Sequence, residues 1–181
     1  KSVTKSKNNK ATQSSKQAVK NQSKNIKDLT ENSGNSNKVL SAKQKAMISG
    51  NHNEDSVETY IDFQITTTVQ YVESESQPES NFHFFSYKIK ISNVGNTTAQ
   101  LMSRHWIITD GQGQSEEVRG PGVVGLQPKI NPGQSFEYES ACPLNTSCGA
   151  MKGTYQMVAE DGQSFEVEIP EFYLIAPTAL H

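Results

Sequence analysis

Phe63-Gln64-Ile65-Thr66-Thr67-Thr68-Val69-Gln70-Tyr71 is the stretch that decides how this chain folds. Phe63, Ile65, Thr67, Val69 and Tyr71 fall on one side of an extended backbone, and Gln64, Thr66, Thr68 and Gln70 fall on the other. That period of two marks a strand with one buried and one wet face. Phe85, Tyr87, Ile89 and Ile91 repeat the device against Ser86, Lys88, Lys90 and Ser92, and Val94-Gly95-Asn96 follows as a turn. Residues 101–109 form another apolar strand. Asp110-Gly111 and Asp161-Gly162 are hairpin dipeptides, because Gly accepts positive φ and Asp tolerates it. Residues 136–139, 155–159 and 165–169 complete about seven short strands, with Asn131-Pro132-Gly133 and Pro170 as punctuation. No helical period longer than two turns appears after residue 56. The pattern predicts an all-β chain: an immunoglobulin/fibronectin type III-like β-sandwich of antiparallel strands.

Upstream the composition changes. Residues 1–55 carry eleven Lys, no Arg and four acids (Asp28, Glu31, Glu54, Asp55), a formal charge of +7. Residues 56–181 carry four Lys, two Arg and fifteen acids, a formal charge of −9. The two parts together give the net −2 of the whole chain. Every Phe, Tyr and Trp lies at or after Tyr60, so the first part has no large ring around which a core can condense. The division reads as a disordered Lys/Asn/Ser/Gln-rich basic tail over 1–56 and a folded domain over 57–181. A basic arm attracts nucleic acid weakly and without sequence preference through counterion release. With no Arg to grip phosphate in two places and no aromatic to stack on bases, the plainer reading of the tail is a solvated linker.

The same composition removes several classes. No run approaches the eighteen apolar residues that a membrane helix needs, and the amino-terminal part lacks the apolar core of a secretory signal. A cytoplasmic protein without a membrane partner is the expectation. Cys142 and Cys148 are too few for a disulfide framework, and no His lies near enough in sequence to complete a zinc site with them. They read as free thiols on a loop, with a bridge or redox role as the alternative.

Three further features could carry chemistry. Gly120-Pro121-Gly122-Val123-Val124-Gly125 fits G-x-G-x-x-G, which brings a backbone close to a pyrophosphate when a strand precedes it and a helix follows. Here Leu126-Gln127-Pro128 blocks a helix, so the run is either a tight interstrand loop or a nest of N–H groups for an anion beside Arg119. Arg119, Gly120, Gly122 and Gly125 are the candidate ligand loop. Within one strand Arg104 and Trp106 share a face and His105 takes the other. Trp106 suits the core, Arg104 is a candidate surface contact, and His105 reads as a half-buried, hydrogen-bonded side chain for want of a nucleophile to serve. Adjacent acids such as Glu116-Glu117 and Glu160-Asp161 point to opposite faces of a strand and do not converge on one ion. No catalytic residue, metal ligand or cofactor is assigned.

Several of these runs also carry a resemblance. Ser103-Arg104-His105-Trp106-Ile107-Ile108-Thr109-Asp110-Gly111 and Glu116-Glu117-Val118-Arg119-Gly120-Pro121-Gly122-Val123-Val124-Gly125-Leu126-Gln127-Pro128 resemble the signature of the ApaG (CorD) family. So do Pro132-Gly133-Gln134-Ser135-Phe136-Glu137-Tyr138, Gly153-Thr154-Tyr155-Gln156-Met157-Val158, Ile169-Pro170-Glu171-Phe172 and Ala179-Leu180-His181. The resemblance spans about 57–181; the basic extension and the two cysteines depart from it. It implies a fibronectin type III-like sandwich, which agrees with the strand count. It also implies a gene neighbourhood with a diadenosine tetraphosphatase, links to cobalt resistance and magnesium efflux, and use of the domain as a binding module in eukaryotic F-box and polymerase-associated proteins. The expected function is therefore a non-enzymatic binding module with a protein partner. The alternative is sensing of a nucleotide or polyphosphate through the Gly-rich loop.

Overall fold

The structure, a computed structural model, describes residues 46–47 and 59–177. The expected tail over 1–56 lies outside these residues except for a two-residue strand, β1 (Ala46–Met47), which pairs antiparallel with β2 (Tyr60–Ile61). Seven longer strands follow: β3 (Phe63–Tyr71), β4 (His83–Asn93), β5 (Ala99–Asp110), β6 (Ser115–Pro121), β8 (Ser135–Leu144), β9 (Cys148–Ala159) and β10 (Ser164–Ile175). A two-residue strand, β7 (Lys129–Ile130), pairs with the start of β5. Two three-residue 3-10 turns, Glu73–Glu75 and Pro78–Ser80, lie between β3 and β4.

The long strands form two antiparallel sheets. One has the order β3-β4-β8 and the other β10-β9-β5-β6. The alternation in β3 and β4 is realised in register: Ile65 faces Ile91, Thr67 faces Ile89 and Val69 faces Tyr87. Their inner side chains join Trp106, Met151, Tyr155, Met157, Val167, Ile169, Phe172 and Leu174 of the other sheet in one core. Apolar burial of this kind supplies the main driving force for a two-layer β fold. Outside the small sheet, Lys88 meets Glu139 at 3.0 Å and Lys90 meets Glu137 at 3.7 Å. These are cross-strand ion pairs on the wet face. The all-β sandwich and the seven main strands are as expected.

Two local expectations need correction. Pro170 does not end its strand. The chain runs on to Ile175 through a register shift between Ile169 and Phe172, which sets Phe172 and Leu174 back into the core. Proline is tolerated there because β10 is an edge strand and the shift absorbs its missing N–H. Nor does the segment around the cysteines form one long loop. Cys142 lies in β8, Cys148 opens β9, and the connection is only residues 145–147. Both thiols are free, Cys142 buried and Cys148 half-buried.

Candidate functional site

The construction around the Gly-rich run begins in β5. Its pairing with β9 slips between Leu101 and Ser103, leaving Met102 as the extra residue of a bulge. The Met102 carbonyl accepts from Gly122 N at 2.8 Å and from Gln127 Nε2 at 2.8 Å. Leu101 N donates to Pro128 O at 3.0 Å, and Gln100 Nε2 donates to Gln127 O at 3.1 Å. Bulges free backbone groups from the ladder and redirect them. Here the redirected groups fasten the far end of the loop.

Beyond the bulge, β5 turns Arg104 to the same side as Tyr155 and Gly120, its partners on the two flanking strands. A β-carbon at Gly120 would sit 3.2 Å from Arg104 Nη1. The bare glycine thus leaves room for the guanidinium. Arg104 Nη1 then donates to Pro121 O at 3.1 Å and to Gly122 O at 2.8 Å. Gly122 has φ +54, and a β-carbon there would meet Leu126 O at 2.1 Å, so no other residue fits without moving the loop. Val123 is fully buried and exchanges two 2.8 Å backbone bonds with Leu126. Between them stand Val124 (φ +45) and Gly125 (φ +81), the signs of a type I′ turn. A β-branched residue in that region is strained. At the tip Val124 is 48% and Leu126 54% exposed.

The candidate residues therefore divide. Gly120, Gly122 and Gly125 each have a structural task within the turn, and Arg104 braces it from below with its guanidinium on two carbonyls. Arg119 is not part of this group. Its side chain is 70% exposed and meets Glu117 Oε2 at 3.2 Å on the outer face of the large sheet. Glu117 also receives His105 Nε2 at 3.0 Å. The Arg119 contact, then that of His105, holds the Glu117 carboxyl below its ordinary range. An anion at the turn would find the amides of Gly122, Val123 and Leu126 already bonded to carbonyls, and carbonyls where Arg104 points.

Beneath the turn lies a buried phenol cluster. Tyr138 Oη and Tyr155 Oη share a 2.5 Å hydrogen bond. Burial raises the hydroxyl pKa of Tyr87, Tyr138 and Tyr155, while the Arg104 charge opposes the shift in all three. Among the described residues no three His, Cys, Asp or Glu side chains gather as a metal-holding group. No helix among them is long and apolar enough to cross a membrane.

Sequence reasoning identified the glycines but missed Met102, Gln127 and the apolar tip. Val124-Gly125 lacks the Asn-Gly or Asp-Gly signature of a type I′ turn, and a bulge has no sequence mark of its own. Two apolar residues flanking Gly125 beside a proline were the only available signal.

A family model described as the ApaG domain matches residues 73–159. Protein ApaG of Bdellovibrio bacteriovorus is 70% identical over 120 residues, which cover 66% of this chain and 94% of that protein. Protein ApaG of Dechloromonas aromatica is 58% identical over 112 residues, 62% of this chain and 88% of that protein. Among solved structures, a Bordetella pertussis protein described as ApaA matches with a TM-score of 0.64 and 50% identity, over 65% of this chain and 95% of that one.

Proposed function

The chain belongs to the ApaG family, and from that premise we propose that it is a non-enzymatic binding module of the cytoplasm whose partner is a protein. The observation that carries this reading is the tip of the Gly120–Leu126 turn. Two apolar side chains, Val124 and Leu126, are held out to solvent on a strained backbone that the Met102 bulge and Arg104 brace from two sides. Strain persists where surrounding structure over-determines a conformation, and a rigid apolar projection loses little entropy on docking. Under this reading, the links to cobalt resistance and magnesium efflux run through a bound protein and not through an ion held by the sandwich.

The nucleotide alternative needs Arg119 and the loop amides to act together. It is the weaker reading, because Arg119 is paired with Glu117 and three of the amides are bonded internally.

The test has two arms. In the first, the melting temperature of the full chain is recorded with ATP, diadenosine tetraphosphate, magnesium and cobalt; no shift is expected. A ligand at 100 times its dissociation constant would add about 2.7 kcal/mol, which such a scan resolves. In the second, a photo-crosslinking residue replaces Leu126, and a discrete protein adduct is expected that Val124→Asp removes. A nucleotide shift abolished by Arg119→Ala would overturn the proposal.

A further inference from the structure

The sandwich has four sheet edges, and their chemistry differs. At the edge formed by β10, Pro170 and the register shift beside it interrupt the row of backbone donors and acceptors. At β6 the run is seven residues long, ends in Pro121 and carries Glu116 on its inner side, paired with Ile108. At β3 the inner side chains close against the other sheet's edge strand, with the Phe63 and Phe165 rings 6.0 Å apart. Prolines, bulges and inward charges are the devices by which edges resist another strand. The edge at β8 lacks them over most of its length. It holds ten consecutive pairs with β4, from His83 with Leu144 to Ser92 with Ser135, without a slip. Its proline, Pro143, comes only at the penultimate position. Among the described strands β8 pairs with β4 alone, so its other side offers a regular row of backbone groups.

Side chains on that edge specify what would fit. Its outer face presents Glu137 and Glu139 in alternate positions, next to Lys90 and Lys88 across the strand pair. The cross-strand order is cation then carboxylate, and the next strand continues it with a cation. Its inner face presents Phe136, Tyr138, Ser140 and Cys142, of which Tyr138 and Cys142 are buried. The next strand would turn apolar side chains toward that row.

We propose that β8 is a strand-addition site for an extended peptide of a partner protein in which basic and apolar residues alternate. Main-chain bonds to residues 135–142 supply the affinity, and Glu137 and Glu139 select basic side chains over acidic ones. The proposal rests on the protein-binding reading but uses a different surface from the Val124–Leu126 tip.

The probe is a fluorescein-labelled, end-capped octapeptide of alternating Lys and Val, titrated into the full chain by anisotropy, with amide exchange followed by NMR. Saturable binding is expected, with slowed exchange at alternate amides of 135–142. A peptide with Glu in place of Lys should bind more weakly. Two N-methylated versions, one modified at every Val and one at every Lys, each lose the donors of one peptide edge. One should fail to bind while the other binds as the parent does. The Glu137→Lys/Glu139→Lys double variant should lower affinity for the Lys peptide by about 3- to 10-fold and raise it for the Glu peptide. Leu126→Ser should leave peptide binding unchanged, which separates failure here from failure of the tip reading. Absence of binding, equal binding of both N-methylated peptides, or slowed exchange confined to other strands would each overturn the proposal. So would protection of the β8 amides by self-association of the chain without peptide, since the occupant would then be a second copy.

Discussion

Arg104 Nη1 lies 2.8 Å from the carbonyl oxygen of Gly122, a residue eighteen positions further along the chain. One guanidinium thus holds two successive carbonyls of a turn whose backbone is strained at Val124. The pairing ties the turn to β5 through two hydrogen bonds.

Replacing Arg104 by Ala should destabilise the domain by about 1.5–3 kcal/mol, the range for hydrogen bonds to a charged group. Lysine should recover only part of this, because both bonds come from Nη1 of a rigid planar guanidinium, and a flexible stem holds an ammonium at that point less firmly. Urea unfolding measures both variants. A loss below about 0.5 kcal/mol for Arg104→Ala would mean that the turn holds itself.

At Val124 the expectation reverses. Val124→Asn relieves a β-branched residue at φ +45 and should raise stability by about 0.5–1 kcal/mol, while weakening any contact that uses the valine methyls. By contrast, Gly122→Ala should destabilise by more than about 1 kcal/mol, since its β-carbon meets Leu126 O at 2.1 Å. Melting temperatures of the pair check the sign. Equal shifts in one direction would contradict the strain assignment.

Alkaline pH should weaken the fold. Burial, with a smaller contribution from the Glu116 charge, pushes the Cys142 thiol up to about 12 from an ordinary 9.0. Burial raises the three core phenols in the same direction. A group whose folded pKa is raised contributes fully below its unfolded pKa and loses that contribution as pH climbs toward the folded value. For Cys142 the window runs from about 9 to about 12. The urea midpoint should fall steadily across it, and Cys142→Ala should flatten the first part of the fall. A midpoint that is level from about pH 8.5 to about pH 11 would show that these groups ionise freely in the folded state.

Trp106→Ala should cost about 3–5 kcal/mol, as for a buried aromatic whose removal leaves a cavity. Trp106→Phe should cost much less. The indole Nε1–H is buried and has no acceptor among the described residues, so phenylalanine removes an unsatisfied donor along with part of the ring. Guanidinium titrations distinguish the two. Equal losses would place an acceptor at that nitrogen.

Strand identity was legible wherever a face was either wholly buried or wholly wet. Gln64, Thr66, Thr68 and Gln70 against Phe63, Ile65, Thr67 and Val69 predicted β3, and register then placed every pair. What escaped notice were the irregularities. The slips at Met102 and Pro170 change which side chains face inward without changing composition, because a bulge adds one residue and no distinctive chemistry. The G-x-G-x-x-G spacing was visible, but its meaning was not. The glycines answer to a guanidinium, a carbonyl and a turn, and those neighbours come from β5 and Leu126 by way of tertiary structure.

Trp106 is the only tryptophan in the chain, and it lies edge-on to Tyr87, Tyr155 and Phe172 at ring separations of 5.7, 6.4 and 5.9 Å. The rings of both sheets therefore meet on one fluorophore. Tyrosines this near transfer excitation to it, so light absorbed on either layer is emitted from a single indole shielded from water. Separation of the sheets would dim that transfer and redden the emission together, which gives the molecule an unlabelled optical gauge of whether its two halves are still joined.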